Sequence, residues 1–157
     1  MRARLLPLLL LAVVAAGCDT TDGLRLDAEF YVGSWTLAAI SDDSGDRTAE
    51  VSALLDDIAA GFEADGDFSL TVDFAPAVND AGQDDVTVLG TYQAQPDLRT
   101  LVLRVSTAQG TVAPTFLVDA ESESRIDLVA PAAVVELLLG QLEIDFEGDV
   151  RLGLRKL

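Results

Sequence analysis

Acid–base or nucleophilic chemistry would have to be built from a narrow set of side chains in this chain. It holds 27 aspartates and glutamates, ten lysines and arginines, one cysteine and no histidine. Without an imidazole, the Ser-His and Cys-His pairs that activate a nucleophile are excluded, as are histidine metal sites. Carboxylates do stand side by side, at Asp42/Asp43, Asp56/Asp57 and Asp84/Asp85. Two carboxylates can cleave a glycosidic bond, but acidic neighbours are expected by composition alone in so acidic a chain. Asp42-Asp43-Ser44-Gly45-Asp46 has the oxygen donors of a calcium loop without the EF-hand spacing or its closing glutamate, so it reads as a turn. Gly82 and Gly110 read as turn residues, and no glycine-rich phosphate cradle is present. The expectation is a protein that is not an enzyme, with no catalytic residue, no metal and no cofactor.

The one thiol, Cys18, has a different context. Arg2 and Arg4 precede an apolar run from Leu5 to Ala16, and small residues lead up to the cysteine. A basic start, an apolar middle and a small-residue end are the order of a secretory signal. Interrupted by Pro7, the run is too short to cross the ~30 Å hydrocarbon core as a helix. Ala15-Ala16-Gly17-Cys18 resembles the lipobox of bacterial lipoproteins. That resemblance implies cleavage before Cys18, acylation of its sulfur and amino group by palmitate-like chains, and export to the cell envelope. Two or three acyl chains anchor stably where one does not, each buried CH₂ contributing ~0.8 kcal/mol. With the lone thiol consumed, no disulfide can form within the chain, and the fold must rely on its core. The expected organisation is a signal peptide at 1–17, a lipidated tether at 18–29 and one domain at 30–157.

Removing the leader leaves eight basic against 27 acidic side chains, a charge of −19. Such a surface argues against nucleic acid as a partner and leaves the acyl anchor as the route to a membrane. It suits a salt-rich habitat, where screening weakens the repulsion. Nothing in the composition sets the oligomeric state.

Within the domain, period-two alternation dominates and predicts strands near 30–40, 67–75, 86–95, 98–106, 112–119, 123–130, 141–147 and 150–156. The clearest is Asp67 to Phe74, where Phe68, Leu70, Val72 and Phe74 alternate with polar residues. In 49–60, Val51, Leu54, Leu55, Ile58 and Ala59 fall at helical spacing, with Asp46 or Thr48 as N-cap and Gly61 past the end. This predicts an amphipathic helix packed on a barrel end. Residues 131–139 start at Pro131 and stop before Gly140, which suits a two-turn helix; an apolar character almost all round leaves a strand open. For the last two strands, a three-residue loop at Glu147-Gly148-Asp149 pairs Phe146 with Val150 and puts both apolar sets on one face, with Asp145 across from Arg151 outside. Eight antiparallel strands make a sandwich or an up-and-down barrel, and closure removes the exposed edges, which favours the barrel.

Gly33-Ser34-Trp35 on the first strand, Phe62-Glu63-Ala64-Asp65-Gly66-Asp67-Phe68, and Gly90-Thr91-Tyr92 ahead of Leu101 and Leu103 together resemble the lipocalin-like domains of bacterial lipoproteins. The resemblance covers roughly residues 30–106. A helix between the first two strands is instead similar to the fatty-acid-binding branch of that superfamily. The resemblance implies an all-β, eight-stranded antiparallel barrel with one or two short helices that binds a small apolar molecule. It also implies a signature in which Trp35, beside Gly33, packs beneath a basic residue of the final strand. Arg151 and Arg155 have outward parity there, whereas Lys156 has the inward parity of Val150, Leu152 and Leu154. Lys156 over the Trp35 ring is one reading; a frayed terminus with Lys156 in solvent is the other.

Two readings also stand for the interior. Phe68, Leu70, Val72, Leu103, Phe116 and Ile144 either fill the barrel at core density together with Phe74 and Leu101 or, together with Trp35 and Tyr92, line a cavity for an acyl chain, a carotenoid or a similar lipid. The first describes an envelope-structure or protein-interaction lipoprotein with a solid barrel. The second describes a membrane-anchored binder of a small apolar ligand.

Overall fold

The computed structural model describes residues 28–76, 85–107, 110–139 and 144–157. The leader, Cys18 and the tether up to residue 27 lie outside them, as do Gly82, Asp84 and residues 141–143. Eight strands form the barrel wall: β1 (Gly33–Asp42), β3 (Leu55–Phe62), β4 (Asp67–Phe74), β5 (Val86–Gln95), β6 (Thr100–Thr107), β8 (Thr115–Ser122), β9 (Arg125–Pro131) and β10 (Asp149–Lys156). Two short strands sit beside it, β2 (Gly45–Asp46) on β1 and β7 (Gly110–Val112) on β6. Each wall strand pairs antiparallel with the next, and β10 returns to pair with β1, so the sheet closes as an up-and-down barrel.

Alternation explains most of this wall. In β4 the even residues from Phe68 to Phe74 are buried and the odd ones face out, and Leu101, Leu103 and Val105 do the same in β6. Gly90 permits a close crossing of β5 over β6, because any Cβ there would overlap the Arg104 carbonyl.

The helix expected over 49–60 is a correction. Only Thr48–Ser52 is helical (α2), with Arg47 rather than Asp46 or Thr48 at the N-cap position, and Leu55–Phe62 is strand β3. The cause is a bulge in the pairing of β3 with β4 between Leu55 and Asp57. One extra residue there sets Leu55 and Ile58 three apart on the inner face, which mimics helical spacing in a strand. Gly61, read as a helix stop, lies within β3 next to its last residue, where a Cβ would stand 2.6 Å from the Ser69 hydroxyl.

The strand and hairpin expected at 141–147 are a second correction. Residues 144–147 are not in a strand, and Val150 pairs with Ala130 of β9 rather than Phe146. Both edges of β10 are already taken, by β9 and β1, so no ladder is left for a further partner. Ile144 and Phe146 are nevertheless buried, because an extended segment crossing the barrel end turns every second side chain down onto it. The segment is held by the β1–β2 turn. Asp43 N–H donates to the Glu147 carbonyl (3.1 Å), Glu147 N–H donates to the Asp42 carboxylate (3.1 Å), and the Arg47 guanidinium lies 5.8 Å from the Phe146 ring centroid. Asp145 therefore does not face Arg151. Its carbonyl accepts from Arg47 (3.4 Å), while Arg151 pairs with Asp127 (2.9 Å).

A four-residue helix, α1 (Ala28–Tyr31), precedes β1, so the strand expected from residue 30 begins at Gly33. Residues 132–139 are helical (α3, Ala132–Leu139), the helical alternative for that segment. It joins β9 to β10 across the same end of the barrel as the β1–β2 turn.

Candidate functional site

The barrel has an aromatic floor. Trp35, Tyr31 and Phe62 are almost wholly buried. The Trp35 indole N–H donates to the Tyr31 carbonyl at 2.7 Å, which satisfies its only polar atom inside the core. Phe62 stacks edge-on with Tyr92 at 5.0 Å and lies 5.3 Å from Phe68. The Tyr92 hydroxyl reaches the Glu63 carbonyl (2.9 Å), and burial, together with the nearby charges of Asp65 and Glu63, raises its pKa.

Lys156 covers this floor from below. The β1–β10 register sets it opposite Trp35, and its ammonium lies 5.3 Å from the ring centroid, within cation–π range. The same ammonium donates to the Phe30 carbonyl at 3.4 Å. Gly33 leaves room for the lysine stem. Its φ is +128°, and a Cβ there would stand 3.0 Å from the Lys156 Cε. The chain end is tied down as well, with Leu157 N–H donating to the Ser34 carbonyl (2.9 Å).

Above the floor is an internal cavity of about 50 Å³ whose exposed lining is entirely apolar. Phe68, Leu70, Leu103 and Phe116, four of the residues expected there, contribute to its wall. The other four sit elsewhere. Trp35 and Tyr92 belong to the floor, since Trp35 is sealed by α1 and Tyr92 turns to Glu63. Val72 lines a second space of about 180 Å³ nearer the mouth. Ile144 packs in the segment crossing the mouth and lines neither. Sequence reasoning missed Ile58 and Ala60, which the helical reading of 49–60 hid, as well as Phe62 and four leucines of the wall strands, and it missed three residues of α3: Val135, Leu138 and Leu139. The i, i+3, i+4 spacing of Val135, Leu138 and Leu139 was the available signal, since it places all three on one helix face.

Two of the paired acids, Asp42 and Asp57, hold local structure together. The Asp42 carboxylate accepts from the Ser44 hydroxyl (2.6 Å), the Ser44 and Gly45 N–H groups and Arg47 (3.0 Å). The Ser44 hydroxyl first, then the Glu147 N–H and the Arg47 charge, hold its pKa at about 2. Asp42 thus closes its own turn. Asp57 accepts from the Thr36 hydroxyl (2.6 Å) on the barrel wall.

No known protein family matches the chain by sequence. No curated protein matches it either. By structure it is similar to insecticyanin, a lipocalin of the tobacco hornworm Manduca sexta, with a TM-score of 0.53 and 14% identity over 84% of this chain. The match spans 64% of insecticyanin, less than two thirds of that protein. A closed eight-stranded antiparallel barrel, few short helices and this likeness together give the chain a lipocalin-like fold.

Proposed function

We propose that this protein is an exported lipoprotein, anchored in a membrane of the bacterial envelope through acylated Cys18, whose barrel binds one small apolar molecule and catalyses no reaction. The observation that carries the binding reading is the all-apolar cavity above the Trp35 floor. An entirely apolar wall offers no donor or acceptor to fix a head group, so recognition inside the barrel rests on shape and burial, at ~25 cal/mol per Å² of apolar surface. The anchor reading rests on Ala15-Ala16-Gly17-Cys18 behind its apolar run. Metabolic labelling with an alkyne fatty acid tests it: label on the wild type that vanishes in Cys18→Ser supports the anchor, and label that persists in the variant refutes it. Native mass spectrometry of the gently extracted full chain tests the ligand. An apolar adduct beyond the anchor supports carriage, and the mass of the acylated chain alone argues against it.

One observation favours the alternative of an interaction lipoprotein. Leu98 and Leu117 are 66% and 58% exposed on the outer wall, beside Arg99, Asp119 and Arg151. An apolar pair rimmed by charges is the pattern of a protein contact.

A further inference from the structure

Helix α3 borders two spaces among the described residues. Leu138 and Leu139 belong to the wall of the inner cavity of about 50 Å³ and also to the wall of the space of about 180 Å³ nearer solvent. The outer space lies between α3 and the β4–β5 wall, against Val72, Phe74, Val86 and Val88. Each is smaller than the ~300 Å³ at which small-molecule sites begin. Leu138 and Leu139 are the two residues that their walls share.

The partition is carried by an element outside the barrel's hydrogen-bonded ladder. The α3 helix starts where Ala132 N–H donates to the Gly148 carbonyl (2.8 Å), and it buries Val135 and Leu139 while Leu137 remains 54% exposed. Two turns of helix outside the ladder can shift without opening the sheet, whereas moving any wall strand would break its ladder. The charges on the described residues of α3 and of the adjoining ends of β4 and β5 are Glu136, Asp73 and Asp85, all acidic. A carboxylate head at that rim would meet like charge.

We propose that Leu138 and Leu139 form a displaceable partition, and that its displacement joins the two spaces into a channel for a single-chain amphiphile with a neutral or cationic head. The tail lies against Phe68 and Phe116, and the head stays at the rim beside Val86 and Leu137. This rests on the reading of the barrel as an apolar binder and adds its entrance, its length gauge and its head-group preference.

Photo-crosslinking of the full chain in phosphatidylcholine vesicles tests it, with two dodecyl probes bearing a diazirine near the tail end, one with a trimethylammonium head and one with a carboxylate. The expected result is label on the peptides holding Phe68 and Phe116, several-fold stronger for the ammonium probe, and stronger again in Leu138→Ala/Leu139→Ala. Emission from Trp35, at the opposite end of the barrel, reports that the variant has kept its fold; if it has not, Leu138→Ala alone is the variant to use. Interior label that is the same in wild type and variant overturns the partition and leaves the binding reading standing. Equal or stronger label from the carboxylate probe overturns the head-group preference. No interior label in either protein overturns both the channel and the binding reading.

Discussion

Replacing Lys156 by methionine keeps a long stem over Gly33 and removes only the charge, whereas alanine removes both. The ammonium stands 5.3 Å from the Trp35 centroid and 3.4 Å from the Phe30 carbonyl. A half-buried cation–π contact contributes about 0.5–2 kcal/mol, and the long hydrogen bond adds little. At about 2–4 °C per kcal/mol for a domain of this size, Lys156→Met should lower the melting temperature by about 1–8 °C. Lys156→Ala should lower it further, because the stem's packing on the glycine face is lost too. Trp35 is the only tryptophan, so its emission reports the contact directly and should change in both variants. Arg155 is the control. It is exposed and of outward parity on the same strand, paired in register with Thr36, so Arg155→Ala should leave emission and melting temperature unchanged. If Lys156→Ala melts and emits like the wild type, the lysine does not hold the barrel floor and the reasoning fails.

Three further outcomes follow from the same structure. Asp42 has a folded pKa near 2 against an ordinary 3.8, so its turn is fully stabilising above about pH 4 and loses that contribution as pH falls towards 2; Asp42→Asn should lower stability at pH 6 and flatten the acid limb of a melting-temperature profile, and an unchanged limb would contradict the assignment. Gly33→Ala places a side chain at φ +128° and against the Lys156 stem, for an expected loss of about 1–3 kcal/mol in chemical denaturation; no loss would mean that the strand start relaxes freely. Melting temperature should rise from low to near-molar NaCl, as screening weakens repulsion among 27 acids, and a flat or falling series would show that this repulsion does not limit stability.

Legibility in the sequence tracked how regular each element is. Strand β4 is readable because Phe68, Leu70, Val72 and Phe74 keep strict alternation from end to end, and β5 keeps the bounds expected for it. Strand β3 is not readable, because its bulge turns a period of two into a spacing of three at Leu55 and Ile58. Residues 144–147 alternate as a strand would, yet whether a strand forms depends on a free edge, and edges are a property of the closed sheet. Lys156 was legible only on the assumption that the last strand closes on the first, since parity alone gives the face and not the neighbour. The cavity wall was legible in part: Phe68, Leu70, Leu103 and Phe116 follow from alternation, but the contribution of α3 depends on where a nearly all-apolar helix lands.

The measurement that bears most directly on the binding reading is methyl NMR of the full chain, with labelled leucine and valine, titrated with dodecanol. Dodecanol in the barrel should shift Leu70, Leu103, Val135 and Leu138 together while leaving Leu98 and Leu117, on the outer wall, in place. Shifts confined to Leu98 and Leu117, or none at all, would contradict it and leave a solid barrel whose outer face does the work.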